Sequence, residues 1–363
     1  MKRAIVADWL TTYAGAEKCI ESFTNLYPDS DVFSLVDFLN EKERNIILKG
    51  KYAKTSFIQN LPFKEKFRNY LPLFPYAVEN FDLREYDLIL SSSHSVAKNV
   101  LTHSEQLHIC YCHTPMRYAW DMFLDYTNNL SFPKRQIVKY FLHKIRIWDY
   151  VGAGRVDYFI ANSKFIQKRI KKVYKRDSVV IYPPVDVDKF TLCTKKEDYY
   201  VTMSRLVGYK RVDLIVKAFN KNGKKLIVIG DGEEFENIKK IAKSNIELMG
   251  YLKEDEAIKI IQKAKAFVFA AIEDFGITPV EAQACGTPVI ALNKGGSAES
   301  VNEKTGVFFE IQSINSINKA IKEFESKKFD YNYIRKWAER FSRDRFEREI
   351  KEFVGKVMDE KSI

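Results

Sequence analysis

Short apolar runs, each ended by polar residues or glycine, recur along this chain and constrain its fold more than any other feature. These runs are RAIVAD (3–8), DVFSLV (31–36), YDLILSSS (86–93), LHICYCH (107–113), YFIANS (158–163), YYVTMSR (199–205), KKLIVIGDG (224–232), AFVFAA (266–271) and TPVIAL (287–292). Most are separated by segments in which apolar residues have helical spacing, such as RVDLIVKAF and EFENIKKIAK. Strands that alternate with helices predict an α/β fold with doubly wound parallel sheets.

The alternation lapses at VIYPPVDVDKF (180–190) and resumes at Tyr199. Pro183 and Pro184 fit neither a strand interior nor a helix interior, so this segment predicts a domain boundary. A chain of 363 residues is also longer than one ordinary hydrophobic core requires. We therefore expect two α/β domains facing a cleft, with ligands bound at the carboxyl ends of their parallel strands.

The composition favours an anionic partner in a reducing compartment. Lys and Arg number 59 against 48 Asp and Glu, a formal charge of +11, which leaves phosphorylated small molecules, anionic lipid and nucleic acid open. Five cysteines form no paired framework, and we expect Cys110 and Cys112 to pack on a strand. The apolar run in MKRAIVADWL is too short for a signal peptide, and no segment reaches the ~18 apolar residues of a membrane span. We expect a cytoplasmic protein.

Two glutamates separated by seven residues lie in EDFGITPVEAQACGTPVIA (273–291). Thr278, Pro279 and Glu281 fit a capping box with proline at the first helical position, which would explain Glu281 as part of a helix start. That interpretation leaves Glu273, just after a predicted strand, unexplained. Gly276 would leave backbone N–H groups open to a ligand, and a helix N-terminus attracts phosphate. The segment therefore predicts a binding site.

A basic cluster follows the run that begins the second half of the chain. In SRLVGYKRVDLIVKAF (204–219), Arg205 ends a predicted strand, while Lys210 and Arg211 begin a predicted helix. Cations at a helix N-terminus oppose its dipole by about 0.3–1 kcal/mol each, so a bound anion is the natural compensation. A solvated basic turn is the alternative interpretation.

These motifs resemble those of the family 4 glycosyltransferases, retaining enzymes with the two-domain GT-B fold. YCHTPMRYAWD (111–121) and LSSSHSVAKN (90–99) are similar to bacterial mannosyltransferases that build surface polysaccharides such as lipopolysaccharide. The resemblance implies an acceptor-side Rossmann-like domain at 1–182 and a nucleotide-sugar-binding Rossmann-like domain at 183–335. It also implies a C-terminal helix at 336–363 that crosses back to the first domain, and IRKWAERFSRDRFEREIKEFV (334–354) predicts one long helix.

The resemblance implies transfer of mannose from GDP-mannose to a saccharide or lipid-linked saccharide, without cofactor or metal; a UDP-sugar is the alternative donor. Arg205 and Lys210 would hold the donor phosphates, and Glu281 would accept hydrogen bonds from the ribose hydroxyls. Glu273 would contact the donor sugar. The remaining donor-side residues that it implies are Phe275, Gly276, Ile277 and Thr278 along the sugar and phosphate, and Gly250 and Tyr251 near the base.

In the N-terminal half, the resemblance implies that Gly15 in TYAGAEK lets the backbone approach the donor phosphates. Relatives often have two glycines at this point, where this chain has Ala14 and Gly15. His113 would reach the sugar ring and join Glu273, Arg205 and Lys210 as the catalytic set. The acceptor side is assigned His94, with a packing role as the alternative, and Arg117, for which no specific role follows. The resemblance also implies front-face attack, with the donor phosphate helping to deprotonate the acceptor hydroxyl.

Two other enzyme classes share parts of this pattern. VDVD (185–188) has the DxD spacing of metal-dependent transferases with another fold, but its place after Pro-Pro favours a solvated hinge loop. A dinucleotide-dependent oxidoreductase requires G-x-G-x-x-G after the first strand, where this chain has only Gly15. IGDGEEF (229–235) lacks the third glycine. Both classes are therefore disfavoured.

Two basic segments interleaved with aromatic residues, FPKRQIVKYFLHKIRIW (132–148) and SKFIQKRIKKVYKR (163–176), suggest an anionic surface as partner. Phe165, Ile166, Ile170 and Val173 have helical spacing, so a solvated basic face over a core stripe is the alternative. If these segments bind an anionic partner, we expect a peripheral contact with the inner face of a membrane rather than with nucleic acid.

Overall fold

The chain divides into two compact α/β units in the computed structural model, which describes residues 1–128 and 130–361. The first unit comprises Met1–Pro184 together with the residues from Phe346 onward, and the second comprises Val185–Arg345. Each unit contains one parallel sheet with helices between its strands, so both are Rossmann-like. Positions 362–363 of the predicted C-terminal helix lie outside the described residues.

The first unit has a seven-stranded parallel sheet in the order β3-β2-β1-β4-β5-β6-β7. Its strands are β1 Arg3–Ala7, β2 Asp31–Ser34, β3 Lys54–Thr55, β4 Leu88–Ser93, β5 Leu107–Cys112, β6 Tyr158–Ala161 and β7 Ser178–Val180. Its helices within the first 184 residues are α1 Gly15–Leu26, α2 Glu41–Leu48, α3 Phe74–Glu79, α4 Phe123–Asn128, α5 Phe132–Gly152 and α6 Lys164–Tyr174. The strand order reverses direction between β1 and β4.

The second unit has a six-stranded parallel sheet in the order β10-β9-β8-β11-β12-β13, which reverses between β8 and β11. Its strands are β8 Tyr200–Met203, β9 Leu226–Ile229, β10 Ile246–Gly250, β11 Ala266–Phe269, β12 Val289–Leu292 and β13 Gly306–Phe309. The helices are α7 Val212–Asn222, α8 Phe235–Ile241, α9 Glu254–Lys263, α10 Ile277–Ala284, α11 Ser297–Ser300, α12 Ile314–Glu325 and α13 Tyr331–Ala338, followed by α14 Arg343–Lys361.

Alternate residues of the central strands face two separate cores in the first unit. Ile5, Leu88 and Leu90 pack on one side of the sheet, while Val6 and Ile89 pack on the other. Side chains of a strand point to opposite faces in turn, so a strand covered on both sides needs a continuous apolar run. Cys110 and Cys112 are buried on β5 in a further apolar cluster, which confirms the predicted packing role.

The predicted long C-terminal helix is wrong in one respect, because it is broken before residue 343. Helix α13 ends at Ala338, a 3₁₀ turn spans Glu339–Phe341, and α14 begins at Arg343. The backbone carbonyl of Phe341 accepts a hydrogen bond from the N–H of Val185 at 2.9 Å. Ser342 is extended, and its hydroxyl accepts from the N–H of Arg345 at 3.3 Å, so it starts the new helix as an N-cap.

Among the residues that the structure describes, no helix combines the length and the apolar character that crossing a bilayer requires.

Candidate functional site

Polar residues of the second unit collect where the strand order of its sheet reverses. Arg205 follows β8 by two residues, and Glu273 lies four residues after β11. Strands β8 and β11 are hydrogen-bonded neighbours, so both segments leave the sheet at the same carboxyl edge. Open parallel sheets bind ligands at such a point. The connections that follow the two neighbouring strands lead to opposite sides of the sheet there and leave a crevice.

Lys210 and Glu273 form an ion pair at this edge. Lys210 ends a 3₁₀ turn at Gly208–Lys210, and Arg211 then adopts a left-handed conformation before α7 begins. The Lys210 and Glu273 side chains are only 17% and 18% exposed. The sequence analysis assigned these residues to different parts of a ligand, and the structure places them in direct contact.

Arg205 presents a second positive charge to solvent in the same segment. Its side chain is exposed, and across the described ranges no hydrogen bond or ion pair engages its guanidinium. A guanidinium can donate two parallel hydrogen bonds to a phosphate or carboxylate. The site therefore combines one exposed cation with one cation held against a carboxylate.

The predicted capping box at Thr278 is wrong. Helix α10 begins at Ile277, after Gly276 with a left-handed φ of +84°, and no side chain caps its N-terminus. Gly276 lets the chain turn into the helix two residues earlier than expected, and Pro279 is tolerated because the first turn needs no N–H from it. Glu281 is buried on α10. It lies too far from the start of this helix to take part in a capping box.

Two glycines that the sequence analysis did not single out support this loop. Gly295 and Gly296 follow β12, and the N–H of Gly296 donates to the carbonyl of Glu273 at 2.7 Å. A Cβ atom on Gly296 would lie 2.0 Å from the carbonyl oxygen of Asp274, closer than any real contact. The dipeptide Gly-Gly after a predicted strand is the signal that could have found them, since close backbone approach requires glycine.

The glycines of IGDGEEF have a packing role beside the same strand end. A Cβ atom on Gly230 would lie 1.9 Å from the carbonyl oxygen of Ser204, and one on Gly232 would lie 2.4 Å from that of Leu206. The N–H of Gly230 donates to the carbonyl of Gly250 at 2.8 Å. Tyr251, the next residue, has a side chain that is 79% exposed. Gly250 and Tyr251 therefore lie at the carboxyl end of β10, one strand beyond β9.

A buried carboxylate organises the corresponding strand reversal of the first unit. Asp8 follows β1, and its carboxylate accepts hydrogen bonds from the backbone N–H groups of residues 94–97 at 2.6–3.0 Å. Its Oδ2 also lies 2.9 Å from Nδ1 of His94, which follows β4. The sequence analysis missed Asp8 as a functional residue, because its partners are contributed by a distant segment.

The Asp8 and His94 pair favours the charged form of both groups. Burial alone would raise the pKa of Asp8, but attraction to His94 and hydrogen bonds from His94 and Ala97 lower this pKa to about 2. Burial opposes the charge of His94, and the carboxylate of Asp8 outweighs it, so the pKa of His94 is raised. A cationic imidazole is therefore favoured at this strand end.

His113 lies beside this pair, and its surroundings favour the neutral imidazole. It follows β5, its Nε2 is 2.8 Å from the Ser92 hydroxyl, and its ring centre is 6.2 Å from that of His94. Burial and repulsion by His94 lower the pKa of His113 to about 3. The structure thus brings together two predicted histidines, one favoured as a cation and the other neutral.

Gly15 and Arg117 lie in two other parts of the first unit. Gly15 is the first residue of α1, and the Glu17 carboxylate accepts from the N–H of Ala14 at 3.1 Å. Burial raises the pKa of Glu17, which the sequence analysis also missed. Arg117 is half-buried in the segment between β5 and α4, and its carbonyl accepts from the N–H of Met122 at 2.9 Å.

The VDVD segment presents its carboxylates to cations. Asp186 accepts hydrogen bonds from Nε and Nη2 of Arg343 at 2.9 and 2.7 Å. Asp188 is largely exposed, with Arg335 3.7 Å away. Within the described ranges, no three His, Cys, Asp or Glu side chains are grouped in a way that could hold a metal ion.

Two family models match consecutive parts of the chain. The model described as Glycosyltransferase Family 4 matches residues 38–189, and the one described as Glycosyl transferases group 1 matches residues 186–341. The chain belongs to the family 4 glycosyltransferases. The first match includes His94 and His113, and the second includes Arg205, Lys210, Glu273 and Glu281.

Curated relatives of this family 4 glycosyltransferase include bacterial mannosyltransferases. A GDP-mannose-dependent monoacylated alpha-(1-6)-phosphatidylinositol monomannoside mannosyltransferase of Corynebacterium glutamicum is 28% identical over 46% of this chain and 52% of that protein. A GDP-mannose-dependent alpha-(1-6)-phosphatidylinositol monomannoside mannosyltransferase of Mycobacterium tuberculosis is 32% identical over 34% of this chain and 37% of that protein. The chain thus spans about half or less of the length of these relatives.

Solved structures show the same fold over the whole chain. HepE of Anabaena, solved in complex with UDP and glucose, superposes with a TM-score of 0.71 at 18% identity, covering 98% of this chain and 100% of that one. The lipopolysaccharide outer core galactosyltransferase WaaB superposes with a TM-score of 0.68 at 16% identity, with the same coverage. Family 4 membership and the GT-B fold, both expected from the sequence, are confirmed.

Proposed function

We propose that this chain transfers mannose from GDP-mannose to a saccharide or lipid-linked saccharide acceptor in surface polysaccharide assembly. The observation that carries the proposal is the group formed by Arg205, Lys210 and Glu273 at the strand reversal of the second unit. This group pairs cations for a diphosphate with a carboxylate for sugar hydroxyls. A nucleotide-diphosphate sugar offers both kinds of group in one molecule.

Arg205 and Lys210 are proposed to hold the two donor phosphates. Arg205 is exposed and Lys210 is positioned by Glu273, so neither needs a large rearrangement to meet a ligand. Each charge-assisted hydrogen bond is worth about 1.5–3 kcal/mol. Phosphate charge increases as the glycosidic bond breaks, so these bonds strengthen in the transition state and accelerate transfer. In this proposal no metal ion or other cofactor is required.

Helix α10 is proposed to bind the rest of the donor. The backbone N–H groups of Gly276, Ile277 and Thr278 at its start would line the sugar and phosphate beside Phe275. Glu281 would accept two hydrogen bonds from the ribose hydroxyls, a task for which a carboxylate has enough acceptor sites. Gly250 and Tyr251 would lie near the base.

The polar group of the first unit is proposed to bind sugar hydroxyls. Neutral His113 can both donate and accept a hydrogen bond, whereas His94 as a cation can only donate. In the proposed retaining reaction, the bond from the anomeric carbon to the phosphate oxygen breaks and the bond to the acceptor oxygen forms on the same face. The acceptor proton passes to the departing phosphate.

The choice of GDP-mannose rests on the names of the two bacterial relatives, both of which are GDP-mannose-dependent mannosyltransferases. A UDP-sugar is the second candidate donor.

A panel of donors tests both choices. We expect GDP-mannose to raise the melting temperature most, because at equal concentrations the donor with the lowest Kd stabilises the folded state most. A ligand at one hundred times its Kd stabilises the folded state by about 2.7 kcal/mol. GDP-glucose tests the sugar, and UDP-glucose and UDP-N-acetylglucosamine test the base. Slow donor hydrolysis, followed by nucleotide release, should rank the donors in the same order. Stabilisation by a UDP-sugar alone would reject GDP-mannose, and stabilisation by none would reject the donor site.

A further inference from the structure

Helix α5 presents apolar residues to solvent on the side opposite to its buried residues. The α5 apolar face consists of Ile137, Tyr140, Ile147, Tyr150 and Val151, whose exposed fractions lie between 47% and 59%. The buried residues of α5 are Leu142, Ile145, Asp149 and Gly152. Residues three, four and seven apart share one side of a helix, so the apolar face is one continuous stripe about 21 Å long.

The exposed part of α5 also carries positive charge. Lys144 lies within it, with its ammonium 5.7 Å from the ring centre of Tyr140, and Lys134 is exposed in the first turn of α5. The one carboxylate of α5 is Asp149, which is buried against Lys98. The exposed surface of α5 is therefore both apolar and cationic.

Helix α6 shows that a basic helix of this unit need not expose apolar residues. Ile166, Ile170 and Tyr174 of α6 are buried, and Phe165 and Val173 are partly buried against the same core. This arrangement confirms the interpretation of that segment as a basic face over a core stripe. Helix α5 follows the opposite pattern, although its sequence is basic and aromatic in a similar way.

We propose that the α5 apolar face docks the first unit on a bilayer surface that carries anionic headgroups. Isoleucine and valine side chains would enter the boundary between headgroups and acyl chains. Tyrosine suits the same depth because its ring is apolar and its hydroxyl is polar. Lysine ammonium groups would stay among the phosphates while their methylene stems lie along the apolar layer.

Charge favours a bilayer over a second copy of this chain as the occupant. Two α5 faces packed together would bring Lys144 of one copy near the cations of the other, and like charges in an interface cost free energy. An anionic lipid surface instead gains about 1 kcal/mol for each lysine near it. The proposal depends on the surface of the first unit and is independent of the transfer reaction.

Vesicle flotation of the full chain tests this proposal. We expect binding to vesicles of phosphatidylcholine and phosphatidylglycerol at about 0.1 M salt and much weaker binding at about 1 M salt, where the Debye length falls from about 10 Å to about 3 Å. Vesicles of phosphatidylcholine alone should bind at least about tenfold less protein. No binding to the anionic vesicles, or equal binding to both, would overturn the proposal.

Single substitutions with matched controls locate the surface. Ile137→Ser and Ile147→Ser should each weaken vesicle binding about fivefold, whereas Ile311→Ser should leave it unchanged, because Ile311 is at least as exposed but lies in the second unit. Lys144→Gln should weaken it about fivefold, and Lys172→Gln on α6 much less. Equal losses in the controls would mean that general surface character drives binding, which would overturn the assignment to α5.

Sedimentation velocity tests whether a second copy of the chain, rather than a bilayer, occupies the α5 apolar face. A self-associating chain whose dimer is abolished by Ile137→Ser and which does not float with anionic vesicles would assign the face to a second copy and overturn the bilayer proposal. All substituted side chains are exposed, so circular dichroism should show an unchanged fold in each variant.

Discussion

Asp8 illustrates how one buried residue can organise a strand reversal. Its carboxylate accepts four backbone hydrogen bonds and forms an ion pair with His94, so it fixes the turn after β4. A buried charge persists only when it is paired and hydrogen-bonded. In the sequence, Asp8 was visible only as an interruption of an apolar run.

At Arg205, the structure allows function to be tested apart from stability. We expect Arg205→Ala to lower kcat/KM. The loss of transition-state stabilisation should be about 2–4 kcal/mol, because the charge that develops on the phosphate loses a partner. The melting temperature should not change, since the side chain is exposed. Steady-state kinetics and thermal unfolding measure the two effects, with Arg348→Ala as a control whose side chain is 63% exposed. Full activity in Arg205→Ala would contradict the phosphate assignment.

Glu281 can be tested by an isosteric change. Glu281→Gln should raise the donor Kd about tenfold, or ~1.4 kcal/mol, because the amide has one acceptor oxygen where the ribose needs two. Calorimetric titration with the donor measures the change. Glu303→Gln, at an exposed position of the same unit, should bind normally. Unchanged donor affinity in Glu281→Gln would mean that this carboxylate has only a structural role.

His108 should make the first unit sensitive to acid. Burial lowers its pKa to about 4, while the unfolded chain has a pKa near 6.5. Below pH ~6.5 the unfolded state therefore binds a proton that the folded state excludes, and stability falls until pH ~4. Between pH ~6.5 and ~5 the loss is about 2 kcal/mol for this group.

His108→Gln should remove that contribution. Urea unfolding at pH ~7 and ~5, followed by tryptophan fluorescence, measures it, since three of the four tryptophans, Trp9, Trp120 and Trp148, lie in the first unit. Wild type should lose more stability than the variant between these values. An identical pH dependence in both proteins would refute the role of His108.

At the scale of elements, α14 completes the core of the unit that contains the beginning of the chain. Phe346, Ile350 and Val354 are buried in the same cluster as Ile5 and Phe23. The ring of Phe346 lies 6.1 Å from that of Phe23 and 5.4 Å from that of Tyr111. The residues from 346 onward are therefore part of the first hydrophobic core.

Phe346→Ala should destabilise the first unit by about 3–5 kcal/mol, because it removes a buried ring and leaves a cavity. Urea unfolding measures the loss. Glu352→Ala on the same helix changes a side chain that is 69% exposed and should alter stability by less than about 0.5 kcal/mol. Equal effects of the two substitutions would show that α14 does not support this core.

At the scale of the whole molecule, the strands that the sequence analysis predicted differ from those that it missed in their position in a sheet. All nine predicted strands are present as β1, β2, β4, β5, β6, β8, β9, β11 and β12. The strands that the sequence analysis did not predict are β3, β7, β10 and β13, which form the edges of the two sheets. An edge strand has one neighbour and is less fully covered, which fits the polar or charged residues in β3 and β10. Strand β13 is instead an apolar run, Gly-Val-Phe-Phe, that the sequence analysis missed.

The whole protein should remain active in EDTA. We expect unchanged donor turnover after metal removal, because Arg205 and Lys210 are proposed to supply the positive charge that a metal would otherwise bring to the phosphates. Nucleotide release with and without EDTA, and after added manganese, measures this. Loss of activity that manganese restores would contradict the proposal and direct attention to Asp186 and Asp188.

The sequence by itself determined the fold class, the central strands and the order of the motifs, because each depends on residues close together in the chain. Tertiary structure decided which distant groups meet. Asp8 contacts a segment 86 residues away, and Lys210 contacts Glu273 across a strand pair. Such contacts depend on strand order, which local periodicity does not encode. The same holds for α10 and α5: backbone conformation at Gly276 moved the start of α10, and packing against the first core left the apolar stripe of α5 facing solvent.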